Sequence, residues 1–307
     1  MPQPPAPGAP RKDRIDLTGA VMLIWFSALM GLNQPLIKLV NTGLAPVFQA
    51  GLRSACAILP VLLYAWLTRK RLGFGGGTLG PGLICGVLFS VEFVMLFTAL
   101  EFTTASRSAI FFYTMPFWLA LGAHVLIPGE RLTPIRLLGL GLAIAGVAVA
   151  LADWGTQAGP DAWIGDLLCL AAALCWAVLA LMMRTTALAR TSPEMQLLYQ
   201  LGISAVLLLA LAPFLGPLVR EMTPALAGIF AFQVLAVVSF GFLGWFWVLS
   251  IYPPAKMASF SFLAPVFGVG FGWLILGEAL RPSLLVALAL VGVGIYLVNR
   301  RSDRPGR

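Results

Sequence analysis

The chain has 307 residues, 60% of them hydrophobic and only 10% charged, with a mean hydropathy of +0.93. That balance excludes a water-soluble globular domain, whose charged share is about a quarter. The net charge of +8 does not mark a nucleic-acid surface either, because the basic residues stand at the ends of apolar stretches and not on a water-facing patch.

Residues 1–14 are proline-rich and lack apolar periodicity, so they read as a disordered cytoplasmic tail. Ten apolar stretches follow, at residues 17–37, 45–67, 79–100, 104–127, 134–152, 163–183, 193–215, 225–249, 256–277 and 281–299. Each is long enough to cross a hydrocarbon layer of about 30 Å as a helix. The first is too long for a signal-peptide core and lacks a small-residue cleavage site, so it is expected to stay as a span. Residues 301–307 form a short basic tail. The links are too short to hide a separate soluble domain, and the expected fold is an all-α polytopic membrane protein of ten transmembrane helices.

Starting residue 1 in the cytoplasm places fifteen Lys and Arg residues on the cytoplasmic side. Only Lys38, Arg107, Arg220 and Arg281 fall on the other side, and Arg53 lies within a span. The bias predicts an inner-membrane protein with both termini in the cytoplasm. Cys56, Cys85, Cys169 and Cys175 all fall in spans without C-x-x-C spacing and read as buried thiols.

The sequence repeats itself. Gly129-Glu130-Arg131-Leu132-Thr133-Pro134 recurs as Gly277-Glu278-Ala279-Leu280-Arg281-Pro282, a pattern G-E-x-L-x-P displaced by 148 positions. Pro116 matches Pro265 at a displacement of 149, and Pro46-x-x-Gln49 matches Pro193-x-x-Gln196 at 147. Glycine-rich last helices close both copies, with Gly139 and Gly146 in one and Gly292 and Gly294 in the other. The expected units are 15–153 and 154–300, each of five spans. Five is odd, so the second copy enters the membrane from the opposite side. Two inverted halves of one packing give two access states of similar energy. Channels and structural membrane proteins are also duplicated at times, so this step argues for transport without proving it.

With proline in each fourth helix, then G-E-x-L-x-P, then a glycine-rich fifth helix, residues 15 to about 300 resemble the ten-span EamA-type members of the drug/metabolite transporter superfamily. The stretch Ala99-Leu100-Glu101-Phe102-Thr103-Thr104-Ala105-Ser106-Arg107-Ser108-Ala109 also looks like that family's link between its third and fourth helices. Tyr252-Pro253-Pro254-Ala255-Lys256 departs from it in the second copy. The resemblance implies a secondary transporter, usually an exporter of amino acids (aromatic amino acids, threonine and methionine among them) or other small metabolites. It also implies a central cavity lined by spans 1, 3, 4, 6, 8 and 9.

Charges inside spans are costly and need partners. Glu92 and Arg53 sit at similar depths in neighbouring spans, so they are expected to approach each other. Glu92 then binds a substrate ammonium or takes up a proton, with Arg53 setting its ionisation or meeting a carboxylate; the rival reading is a structural ion pair. Asn33 and Gln34 precede Pro35, a combination that loosens a helix and frees carbonyls for a ligand, or marks a fraying end. Gln49 and Gln196 read as polar helix–helix contacts. Pro116 and Pro265 are expected to act as paired hinges or static bends, with Tyr113 and Ser261 one turn before them facing the cavity. Trp176, Tyr199 and Trp245 lie deep enough to line an apolar pocket, against plain packing. His124 reads as a structural histidine, and Glu130 and Glu278 as turn residues.

No H-E-x-x-H, G-x-S-x-G or Walker motif is present, so no enzyme, cofactor or metal site is expected. The expected partners are a small-molecule substrate, an amino acid or related metabolite, and the lipid bilayer, with a monomer admissible and no nucleic acid. Hydrophobic cations, nucleotide sugars and other metabolites are the rival substrates. A membrane-embedded binding or regulatory protein is the rival class.

Overall fold

The computed structural model describes residues 16–70, 72–128, 130, 132–152, 159–241 and 260–299. Its helices are α1 (Leu17–Asn41), α2 (Pro46–Leu67), α3 (Leu79–Phe102), α4 (Ala105–Phe112), α5 (Met115–Leu126) and α6 (Pro134–Ala152) in the first half. The second half contributes α7 (Ala162–Thr185), α8 (Pro193–Leu211), α9 (Pro224–Phe232) running into a π-helical segment (Gln233–Phe240), α10 (Leu263–Leu276) and α11 (Pro282–Asn299). Among the described residues there is no strand beyond one isolated antiparallel bridge, Leu44 to Val219. Among the described residues, eight helices, counting α4 and α5 as one, are long and apolar enough to cross a membrane. Two shorter apolar helices stand where spans eight and nine are expected.

The helix ends follow from side-chain chemistry. Asp16 accepts from the Gly19 amide to open α1, and Ser192 and Thr223 do the same for α8 and α9, each followed by a proline whose missing N–H costs nothing there. Gly277 closes α10 with φ of +66°, and Pro282 opens α11. This is the turn that the repeated G-E-x-L-x-P pattern encodes.

The expected fourth span, 104–127, is interrupted. Tyr113 and Thr114 separate α4 from α5, and Pro116 is the second residue of α5. A proline there cannot donate back into the preceding turn, so the ladder breaks just upstream of it. Pro265 is likewise the third residue of α10 and not the middle of a long described helix.

Small residues let the halves approach. At the α6–α11 seam, a β-carbon added to Gly139 would stand 2.8 Å from the Gly294 carbonyl oxygen, and one on Gly146 would stand 2.9 Å from that of Ala287. Displacing 139 by 148 gives 287, and 294 less 148 gives 146, so exchange of the halves turns one crossing into the other. At the α1–α10 crossing, Gly31 meets Ala264 and Gly268 equally closely. With no hydrophobic drive between helices in lipid, such backbone approach supplies the packing. The α1–α10 contact between the halves is mirrored by the α5–α7 contact, where Gly122 receives Leu181.

Candidate transport site

Seven elements converge on a cavity of about 110 Å³ in the middle of the bundle. Its walls include Met30 and Asn33 from α1, Arg53 and Ser54 from α2, Phe89, Glu92 and Phe93 from α3, Phe112 from α4, Trp176 from α7, Leu197 and Leu201 from α8, and Val237 and Val238 from the π segment. Sites that engulf drug-sized ligands run to about 300–1,000 Å³. The cavity is smaller than that range. Compared with the lining implied by the family resemblance, α2 and α8 also contribute, and α10 is not part of the wall.

Arg53 and Glu92 face this one cavity, but among the described residues no ion-pair contact joins them. Arg53 instead donates to Asn33 Oδ1 at 3.0 Å, and its guanidinium lies 4.7 Å and 4.6 Å from the ring centres of Phe93 and Phe97. Cation–π contact with two rings and one neutral hydrogen bond hold the cation without neutralising it. Arg53 Nε and Glu92 Oε2 are buried without hydrogen-bond partners. Unsatisfied buried polar atoms are destabilising, and a pair of opposite charges left apart around a void is an arrangement suited to a ligand bearing both signs.

The other candidates from the sequence divide. Trp176 and Asn33 line the cavity. Gln34 is buried beside Tyr113, whose ring packs edge-on against cavity-lining Phe112 at 5.8 Å. Tyr199 points elsewhere: its hydroxyl bonds Thr78 Oγ1 at 3.1 Å and its ring packs on Gly82, near the α2–α3 link. Ser261 accepts from Asn299 Nδ2 at 3.0 Å, away from the cavity lining. Trp245 lies outside the described residues. Gln49 donates to Gln233 Oε1 across the halves at 3.3 Å, and Gln196 donates to the Leu188 carbonyl. The cysteines are free thiols, Cys169 donating to Ser108 Oγ. His124 accepts from the Leu132 amide.

Sequence reasoning missed a buried polar network at the end of the bundle bearing the α1–α2 link. Arg107 pairs with Asp166, Nε to Oδ1 at 3.2 Å and Nη2 to Oδ2 at 2.5 Å, and Thr103 Oγ1 donates to the same carboxylate at 2.7 Å. Glu278 of the second half accepts from the amides of Ala105 and Ser106 at 2.7 and 2.8 Å and from Ser106 Oγ, capping α4 of the first half. Lys38 Nζ donates to the carbonyls of Leu100 and Thr103. Arg220 holds Glu101 and the Asn41 carbonyl nearby. At the opposite end the ties are weaker: Lys70 stands 3.9 Å from Glu194, and Arg184 contacts Glu130 with both side chains more than a third exposed. Asp166 falls three residues inside an expected span, and Arg107, counted with the outer cations, stands at a similar depth; that was the available signal.

Two helical halves packed about a small polar-centred cavity define a polytopic membrane protein built on a duplicated unit. The EamA-like transporter family matches residues 17–152 and 163–300, and the chain belongs to that family. A "Probable amino-acid metabolite efflux pump" of Escherichia coli is 28% identical over 299 residues, covering 94% of each chain. The "Uncharacterized transporter YoaV" of Bacillus subtilis is 24% identical over 91% of this chain and 94% of its own. An S-adenosylmethionine/S-adenosylhomocysteine transporter of Chlamydia trachomatis is 26% identical over 94% of this chain and 91% of its own. A solved crystal structure superposes with a TM-score of 0.66 at 20% identity, covering 92% of this chain and 96% of that one, a likeness of fold.

Proposed function

We propose that the protein exports amino acids or similar small metabolites across the inner membrane by alternating access of its two halves. The observation that carries this reading is the pair Arg53 and Glu92, facing one central cavity as opposite charges with unsatisfied atoms. A zwitterion fits it: the ammonium meets the Glu92 carboxylate, the carboxylate meets Arg53, and the side chain lies against Phe89, Phe112 and Trp176. The name of the Escherichia coli relative supports the substrate class.

The basic-residue bias puts both termini in the cytoplasm, so the end sealed by Arg107, Asp166 and Glu278 faces outward. The halves, 15–153 and 154–300, rock about Pro116 and Pro265, and the chain works without a catalytic step, cofactor or metal. A monomer suffices for this cycle, because both halves lie in one chain.

The test is counterflow in proteoliposomes with each of the twenty amino acids. Glu92→Gln and Arg53→Ala are expected to cut flux by about ten-fold or more, the size of one charge-assisted hydrogen bond. Saturable flux unchanged in both variants refutes the assignment, and binding without flux refutes transport. A second reading, export of hydrophobic cations, draws on the aromatic walls beside Glu92. Cationic dyes in the same screen decide it: dye flux that survives Arg53→Ala supports the cation.

A further inference from the structure

The cavity has a lid of its own. One helical turn from it toward the α1–α2 link stand Ile37 on α1, Gln49 on α2, Phe97 on α3 and Gln233 on the π segment, all at 0% exposure. Each is four residues from a cavity-lining neighbour: Asn33, Arg53, Phe93 and Val237 respectively. Residues four apart share a helix face, so this layer stacks on the cavity and closes it on that side.

Two members of this layer are apolar and two are glutamines. Gln49 Nε2 donates to Gln233 Oε1, leaving Gln49 Oε1 and Gln233 Nε2 buried without partners. Two apolar residues would join the halves here without stranding an acceptor and a donor. The segment that carries Gln233 is also π-helical, with Ser239 Oγ bonded to the Val234 carbonyl, and π geometry recurs at functional sites.

We infer that Gln49 and Gln233 form a transit subsite, which takes the charged ends of the substrate as it moves from the Arg53–Glu92 cavity toward the α1–α2 end. This rests on the amino-acid reading above. The stranded acceptor receives the ammonium, the stranded donor meets the carboxylate, and rotation of both amides exchanges the two roles. Ile37 and Phe97 block the remaining aperture, so the layer opens only when the halves part. The glutamine pair is the one hydrogen bond within the layer that then has to be exchanged, among the described residues.

The experiment is counterflow by the purified full chain in proteoliposomes, using each of the twenty amino acids and their methyl esters, which keep the ammonium and lack the carboxylate. Gln49→Glu fixes an anionic acceptor in the layer and is expected to raise the ester-to-acid flux ratio about ten-fold. Gln233→Met keeps volume and removes the donor; amino-acid flux is expected to fall about ten-fold while equilibrium binding stays within about two-fold. A pair that merely clamps helices together would lower the thermal midpoint and leave the ratio unmoved. If the parent protein shows no counterflow of any amino acid, the amino-acid reading fails and the subsite falls with it. If the parent is active and Gln49→Glu keeps the parental ratio, the subsite alone is overturned. That ratio decides even where Gln233→Met does not fold.

Discussion

Asp166→Asn isolates the charge of the buried network from its shape. Asp166 is fully buried and Arg107 is 5% exposed, so neither ion recovers much hydration in the folded state. With its oxygen at the Oδ1 place the asparagine still accepts from Thr103 and Arg107 Nε, while the anion and the Nη2–Oδ2 bond are lost and an amide donor faces the guanidinium. Breaking a buried pair by removing one partner costs about 3–5 kcal/mol. An isostere that keeps the volume and the contacts at the Oδ1 place belongs at the lower end, about 3 kcal/mol. Reversible unfolding in mixed detergent micelles measures it, and a double-mutant cycle with Arg107→Met is expected to return a coupling of about 2 kcal/mol, because the second change removes the cation that faced the carboxylate. A single Asp166→Asn variant within about 0.5 kcal/mol of the parent would refute the reasoning and place this pair among those that break even with a neutral contact.

Glu278→Gln, which replaces one acceptor of the α4 cap by a donor, is expected to lower stability by about 1–2 kcal/mol, whereas Glu130→Gln at the exposed Arg184 contact stays within about 0.5 kcal/mol, both read from unfolding midpoints. Gly31→Ala puts a methyl 2.6 Å from Phe267 Cβ and 2.7 Å from the Ala264 oxygen and is expected to cost about 1–3 kcal/mol. Gly270→Ala on the same partner helix, with no atom within 4 Å of the added carbon, is the control and should be neutral in the same unfolding assay. Pro116→Ala and Pro265→Ala, by restoring a backbone donor near each break, are expected to change the exchange rate several-fold with substrate affinity kept; an unchanged rate in both variants removes the hinge assignment.

The helices were legible because hydrophobic length and proline or glycine at the ends are local signals. The expected stretch 134–152 coincides with α6, and the second G-E-x-L-x-P turn, Gly277 to Pro282, stands where the pattern puts it. The repeat was legible for the same reason, since a displaced motif needs no structure to be seen. The site was half legible. Charges in a span announce themselves, so Arg53 and Glu92 could be singled out and set at similar depth, but they face one cavity without making the expected contact. That Arg53 would bond Asn33 and lie against Phe93 and Phe97 was not legible, because aromatic residues abound in this chain and nothing in sequence says which of them faces a cation. Tyr199 misled for a related reason: depth in a span was readable but direction around the helix was not. Arg107 and Asp166 lie 59 positions apart on helices from different halves, and only packing brings them together.

The α6–α11 seam has a consequence for how the two halves relate. Contact 139 to 294 and contact 146 to 287 are interchanged when the halves are swapped, so the surface is self-complementary in the way an isologous homodimer interface is. Each half thus presents at this seam the same close-approach positions to its twin.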